Sequence, residues 1–220
     1  MTSQPATGHT GGKKQATPAP VVSSPDAALQ PDLEEARNFL ELLAPGEPVT
    51  FQTFDDDKVA KRGYLARVFH GTLDEHADSL ISINDQGGGV FVMVNEGDGV
   101  VHSGEKSCRT TRNVVRVRAV FVDLDGAPLD PVRKSGVDPH IVVNSSPGRW
   151  HAYWRVSDCP LAEFKAIQIA LAKKFSGDAS VNDLSRVMRL PGFFHNKAEP
   201  FMTRTVNLDN FKKGRSNGSN

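Results

Sequence analysis

The sequence predicts an α+β fold, a mainly antiparallel sheet backed by helices. Three observations lead there. Runs of β-formers outnumber helical periodicities; two amphipathic helical segments flank the long β-runs; and "HIVVNSS" and "HAYWRV" are separated by only the tight segment "SPGRW", as in a hairpin. The chain has 220 residues, which suits one domain with a tail at each end.

Residues 1–30 are rich in Thr, Pro, Ser, Gly and Ala and contain no aromatic residue, so they read as a disordered leader. In "PDLEEARNFLELLAPG", Asp32 can cap a helix, with Glu34 and Glu35 in the first turn where the dipole favours them. Leu33, Ala36, Phe39, Leu40 and Leu43 form its apolar face, and Gly46 ends it. "VTFQTF" and "RGYLARVFHG" read as strands and "LDEHADSLISIND" as a short helix ended by "QGGG". "GVFVMVN" is a strand running into an acidic turn, "EGDG", and "VRVRAVFVDLDG" is read as one long strand. "LAEFKAIQIALAKKF" is an amphipathic helix with Leu161, Phe164, Ile167 or Ile169, Leu171 and Phe175 inward. "FMTRTVNL" is read as a last strand, leaving residues 31–210 folded and 211–220 as a flexible tail or linker.

The bulk composition narrows the function. Lys plus Arg equals Asp plus Glu, so nucleic-acid contact must come from local patches rather than from a basic chain. The only cysteines, Cys108 and Cys159, lie far apart without a CxxC partner, which argues against structural zinc and a disulfide framework and fits a reducing cytoplasm. No apolar run approaches the ~18 residues of a membrane span, and the N-terminus has no secretory signal.

Three segments carry chemistry. In "VFVDLDG", Asp123 and Asp125 stand two apart on a strand and so project from one face, roughly 6.5–7 Å apart, while Val122 and Leu124 point into the core. Paired carboxylates repel unless a positive group lies between them, and a divalent cation fills that role in phosphoryl transfer; a DxD also fits exposed acids before a glycine turn. In "NSSPGRWHAYW", Ser145, Ser146 and Gly148 let backbone N–H groups approach a ligand, Arg149 can pair with phosphate, and His151 starts the next strand as a donor. In "GDASVNDLSRVMRLPGFFHNK", Asp178 and Asp183 are candidate acids. Arg186 and Arg189 are three apart and would share a face in a helical turn, and Lys197 follows a Pro-Gly turn. Two arginines and a lysine suit a triphosphate. Solvated charges explain that last segment equally well when it is taken alone.

In this order the three segments resemble the archaeo-eukaryotic primase superfamily, in particular the RepB-like primases and primase-polymerases of plasmids, phages and other mobile elements. The resemblance covers residues 31–207. It implies an RRM-like catalytic sheet with a smaller α/β unit packed in front, formed largely by residues 31–100. It also implies template-directed nucleotidyl transfer, making and extending primers on single-stranded DNA with dNTP or NTP and two magnesium or manganese ions. Carried over residue by residue, Asp123, Asp125 and Asp178 would bind metal, with Asp183 an alternative third acid. His151 would contact the incoming phosphates with Ser146 and Arg149, and Arg186, Arg189 and Lys197 would grip the triphosphate. A monomer is expected, with a replicative helicase fused or in trans. The zinc module and the helical domain of some relatives are not visible, so the chain reads either as a stand-alone primase or as the head of a larger protein.

Template grip would come from "KVAKRGYLAR" and "CRTTRNVVRVR", with Trp150, Phe193 and Phe194 available to stack on bases. Two rival classes are weighed. A rolling-circle initiator needs two histidines on one strand and a nearby tyrosine, whereas His140 and His151 lack that spacing and only Tyr64 and Tyr153 exist. A non-catalytic RRM-like binding module would carry aromatics, not acids, on the "VFVDLDG" strand.

Overall fold

The computed structural model describes residues 1–2, 29–209 and 211. The leader expected at 1–30 and the tail expected at 211–220 thus fall almost wholly outside the described residues. In chain order the elements are α1 (Leu33–Leu43), β1 (Val49–Asp55), β2 (Val68–Gly71), α2 (Leu73–Asp85), β3 (Gly88–Met93), β4 (Glu96–Gly97), β5 (Val114–Arg116) and β6 (Ala119–Leu124). They continue with α3 (Asp130–Arg133), β7 (Ile141–Ser146), β8 (Arg149–Arg155), α4 (Leu161–Phe175), β9 (Val187–Arg189), β10 (Phe194–His195), β11 (Phe201–Met202) and β12 (Arg204–Thr205).

Two four-stranded antiparallel sheets dominate, in the orders β2-β1-β3-β9 and β12-β7-β8-β6. The α+β expectation is met. Helix α1 starts where its cap predicts: the Asp32 carboxylate accepts from the Glu35 N–H at 3.0 Å, and Ala36, Phe39 and Leu43 are buried. Helix α2 opens with a capping box between Thr72 and Glu75.

Several elements differ from their sequence reading. The strand expected from Arg62 begins only at Val68, because Asp55 holds the Arg62 backbone N–H and guanidinium and residues 63–65 make a 3₁₀ turn. The acidic turn "EGDG" contributes a short strand, β4, paired with β5. "VRVRAVFVDLDG" is two strands in two sheets, broken at Val117–Arg118. Arg118 is buried there, and it bonds the Glu47 carboxylate and the Pro48 carbonyl. "FMTRTVNL" likewise splits between β11 and β12.

Helix α4 lies against β6 on largely the predicted face, with Ile167 and Leu171 packed partly buried against the core. Phe164, Gln168, Ala172 and Phe175 are buried, while Leu161 and Ile169 are exposed. Gln168 is the one polar residue that joins this face. As an edge strand β6 leaves backbone groups unpaired, and the Gln168 side chain accepts from the Phe121 N–H at 3.0 Å while donating to the Val181 carbonyl at 3.3 Å.

Candidate active site

The acids gather where β6 ends. Val122 and Leu124 are buried, as the strand alternation requires, and Asp123 points to the opposite face. Asp125, just past the strand, accepts from Arg149 Nε at 2.7 Å. The third acid arrives from far along the chain. After α4, Gly177 presses against β6 so closely that a Cβ would stand 2.8 Å from the Asp123 carbonyl oxygen. The Asp178 N–H donates to that same carbonyl at 2.9 Å. Asp178 is thereby pinned beside Asp123, its carboxylate accepting from the Ser180 N–H. Asp183 is engaged elsewhere, 2.6 Å from Arg186.

Burial raises the Asp123 carboxyl to about 6, and the nearby charges of Asp125 and Asp178 add to the shift, opposed by Arg149 and Arg186. The Asp123 charge is therefore costly in the resting fold, chiefly through burial. No three His, Cys, Asp or Glu side chains among the described residues converge into a ready-made metal cluster. Magnesium, however, commonly takes only one or two carboxylates and completes its shell with water and substrate phosphates. The all-oxygen donor set and the cost of the Asp123 charge without a cation fit such an ion.

Opposite Asp123 in the β6–β8 register stands His151. It is buried, its Nε2 lies 3.7 Å from Asp123 Oδ1, and its Nδ1 lies 3.1 Å from the Tyr153 hydroxyl. Burial pushes the imidazole down to about 3, so it is neutral at physiological pH. The Tyr153 phenol is held protonated by its burial. The Asp123 oxygen beside Nε2 is an acceptor, which favours the proton on Nε2, facing the carboxylate and the cavity, with Nδ1 then accepting from the Tyr153 hydroxyl. Tyr153→Phe keeps the packed ring but removes the donor to Nδ1. We expect little change in melting temperature in that variant, checked by a thermal melt.

A second imidazole, His195, carries the opposite tautomer. Its Nδ1 lies 3.1 Å from the Ser145 carbonyl, which can only accept, so Nδ1 holds the proton. Burial and then Arg189 lower its pKa to about 4.

A cavity of about 150 Å³ joins these groups, bounded by Asp123, Asp125, Ser146, Arg149, His151, Arg189, His195 and Lys197. Of the predicted phosphate-binding residues, Ser146, Arg149, Arg189 and Lys197 line it. Arg186 does not: it bonds the Ser180 carbonyl at 2.7 Å as well as Asp183. The shared helical face expected for Arg186 and Arg189 is not formed. The segment becomes strand β9, where residues three apart face opposite sides.

Arg189 is built in more deeply than a surface phosphate ligand. Asp56 grips it with two bonds of 2.7 and 3.1 Å, both side chains are under 10% exposed, and its guanidinium stacks 4.6 Å over Phe91. Gly89 admits the pair, since a Cβ there would stand 2.7 Å from the Asp56 carboxylate and 2.8 Å from the guanidinium. Sequence reasoning missed Asp56, Tyr153 and His195. Only His195 carried a signal, in its position two before Lys197.

The expected template-binding stretches are largely spent on structure. Arg62 pairs with Asp55, Arg116 with Glu47 and Glu96, Arg118 with Glu47, and Arg109 bonds Gln52. Phe193 is fully buried core rather than a stacking surface, whereas Phe194 and Trp150 are partly exposed. No helix among the described residues is long and apolar enough to cross a membrane.

An acid face joined to a cationic cavity beside an antiparallel sheet suits a phosphate-bearing ligand, and comparison with known proteins gives the family. Residues 99–212 match the RepB DNA-primase N-terminal domain, and the chain belongs to that family. Among solved structures, it is similar to the archaeo-eukaryotic primase domain of the cyanophage S-2L primase-polymerase, with a TM-score of 0.64, 18% identity and coverage of 81% of this chain and 91% of that one. It is also similar to the catalytic domain of primase RepB′ solved with initiator DNA, with a TM-score of 0.57, 20% identity and coverage of 80% and 84%. No curated protein sequence matches. The family and the fold support a primase function in DNA replication.

Proposed function

We propose that this domain is a DNA primase-polymerase catalytic centre, a nucleotidyltransferase that joins nucleotides on a single-stranded DNA template during replication of a plasmid or phage. One observation carries the reading: Asp123 and Asp125 line one cavity with Arg149, Arg189 and Lys197, and the Asp178 N–H is bonded to the Asp123 carbonyl beside it. Asp123 and Asp125, with Asp178 beside them, would hold two magnesium or manganese ions, which when bound lower the pKa of the attacking 3′-hydroxyl and neutralise the leaving pyrophosphate.

The chain's own residues do the positioning. His151 donates its Nε2 proton to a phosphate oxygen without needing a charge. Lys197 and Arg189 balance the triphosphate, with Arg189 fixed in place by Asp56. Arg149, about half exposed, can exchange Asp125 for phosphate, and Ser146 closes the turn beneath it. Most of the rate then comes from orientation and charge compensation rather than from a general base. The incoming substrate is a dNTP or NTP. The protein would act as a cytoplasmic monomer beside a replicative helicase, and the initiator DNA bound to RepB′ supports a DNA partner.

Incubation with unprimed single-stranded DNA, labelled nucleotides and manganese is expected to yield short new products. Extension of a primed template without new chains would mean a polymerase core that does not initiate. Silence on both templates would overturn the reading in favour of a binding module.

A further inference from the structure

His195 belongs to no role assigned above, yet it is built into the site. It is 8% exposed, lines the cavity, and its Nε2 has no hydrogen-bond partner among the described residues. Because Nδ1 must donate to the Ser145 carbonyl, Nε2 presents a lone pair. A buried acceptor left unmatched is costly, so a donor from a ligand is the natural complement. A phosphate oxygen cannot supply one, because it is itself an acceptor.

A second cavity, of about 340 Å³, adjoins the first. The two share Ser146, Arg149, His195 and Lys197, and the second is otherwise bounded by Pro147, Ala198, Glu199 and Phe201. The first side is charged, while the second offers the apolar surfaces of Pro147, Ala198 and Phe201. A nucleotide has the same order along its length: phosphates, then sugar, then base. With phosphates at Arg189 and the base against Phe201, the sugar passes the wall in which His195 stands.

We infer that His195 Nε2 accepts a hydrogen bond from a sugar hydroxyl of the bound nucleoside triphosphate, and so reads the sugar rather than the phosphates. This rests on the nucleotidyl-transfer reading and deepens it. Lys197, two residues on in the same wall, supplies the phosphate contact, which leaves the imidazole free to act as a neutral acceptor.

The test is equilibrium binding of four ligands to the full chain with magnesium: an NTP, its 2′-deoxy and 2′,3′-dideoxy forms, and inorganic tripolyphosphate. The variant is His195→Asn, whose amide N–H can keep the Ser145 bond while the Nε2 acceptor is lost; a thermal melt confirms its fold, and His195→Leu, which also lacks the acceptor while Thr203 Oγ1 still donates to the Ser145 carbonyl, serves if it does not. The wild type should lose about tenfold in affinity when the recognised hydroxyl is removed. A step between NTP and dNTP identifies the 2′-hydroxyl, and one between dNTP and ddNTP the 3′-hydroxyl. In His195→Asn that step should vanish while tripolyphosphate binding stays within twofold. A step that persists in the variant, or a loss shared equally by tripolyphosphate, would overturn the inference. Absence of any nucleotide binding by the wild type would instead overturn the nucleotidyl-transfer reading beneath it.

Discussion

Asp123→Asn is expected to abolish nucleotide incorporation, by at least 10²–10³-fold on the order typical of a removed transition-state charge partner, and at the same time to stabilise the metal-free protein. The two effects have one cause. Asp123 is held in a largely buried position with Asp125 and Asp178 close by, so its charge is costly in the resting fold and useful only when a cation or a reacting phosphate shares the site. Asparagine keeps the shape and removes the charge. With chelator present at pH 7–8, the variant should be more stable to denaturant than the wild type by about 3 kcal/mol. Denaturant melts check the stability and primer-extension assays the activity. A variant that is less stable, or that retains activity, would sink this account of the acid face.

The same shift sets a pH dependence. The folded-state pKa of Asp123, about 6, lies above its ordinary value of 3.8, so between those values the folded chain holds the proton that the unfolded chain has lost. This group's contribution to wild-type stability is then greatest below about pH 4, falls as pH rises toward 6, and levels off above. In Asp123→Asn that part of the pH slope should be missing.

Much of the site was legible because it follows local rules. The i, i+2 spacing of Asp123 and Asp125 needs only an extended backbone, and "SPGRW" needs only a two-strand turn, so both could be read from a few residues. The failures come from long-range constraints. Gln168 looks like an outward polar residue until one knows that β6 is an edge strand whose Phe121 N–H needs a partner. Arg186 and Arg189 read as a helical pair because the three-residue strand β9 is too short to show a period, and its partner β3 lies about a hundred residues earlier. "VRVRAVFVDLDG" read as one strand because nothing local says that Arg118 will be drawn inward by Glu47. The backbone bond that brings Asp178 beside Asp123, and that supports the preference for it over Asp183, is likewise long-range.

Asp56 is the residue where such a long-range constraint should have its largest effect on stability. Asp56→Ala removes both partners of the Arg189 guanidinium and leaves the Asn196 N–H without its carboxylate acceptor. Breaking a buried pair on one side strands a charge in low dielectric, and the expected loss is about 3–5 kcal/mol, or a fall of roughly 10 °C or more in melting temperature. Replacing both residues by apolar ones of similar size, Asp56→Leu with Arg189→Met, should recover much of that stability, because no charge is left uncompensated. On the proposed function it should not recover nucleotide affinity, because the cavity has then lost one of its cations. If the double variant melts near the wild type and still binds nucleotide as tightly, Arg189 is only a structural partner of Asp56. If it melts near the wild type and binds weakly, the ion pair is a scaffold that holds a phosphate-binding cation rigid, and the burial of Arg189 is the means by which the fold orients it.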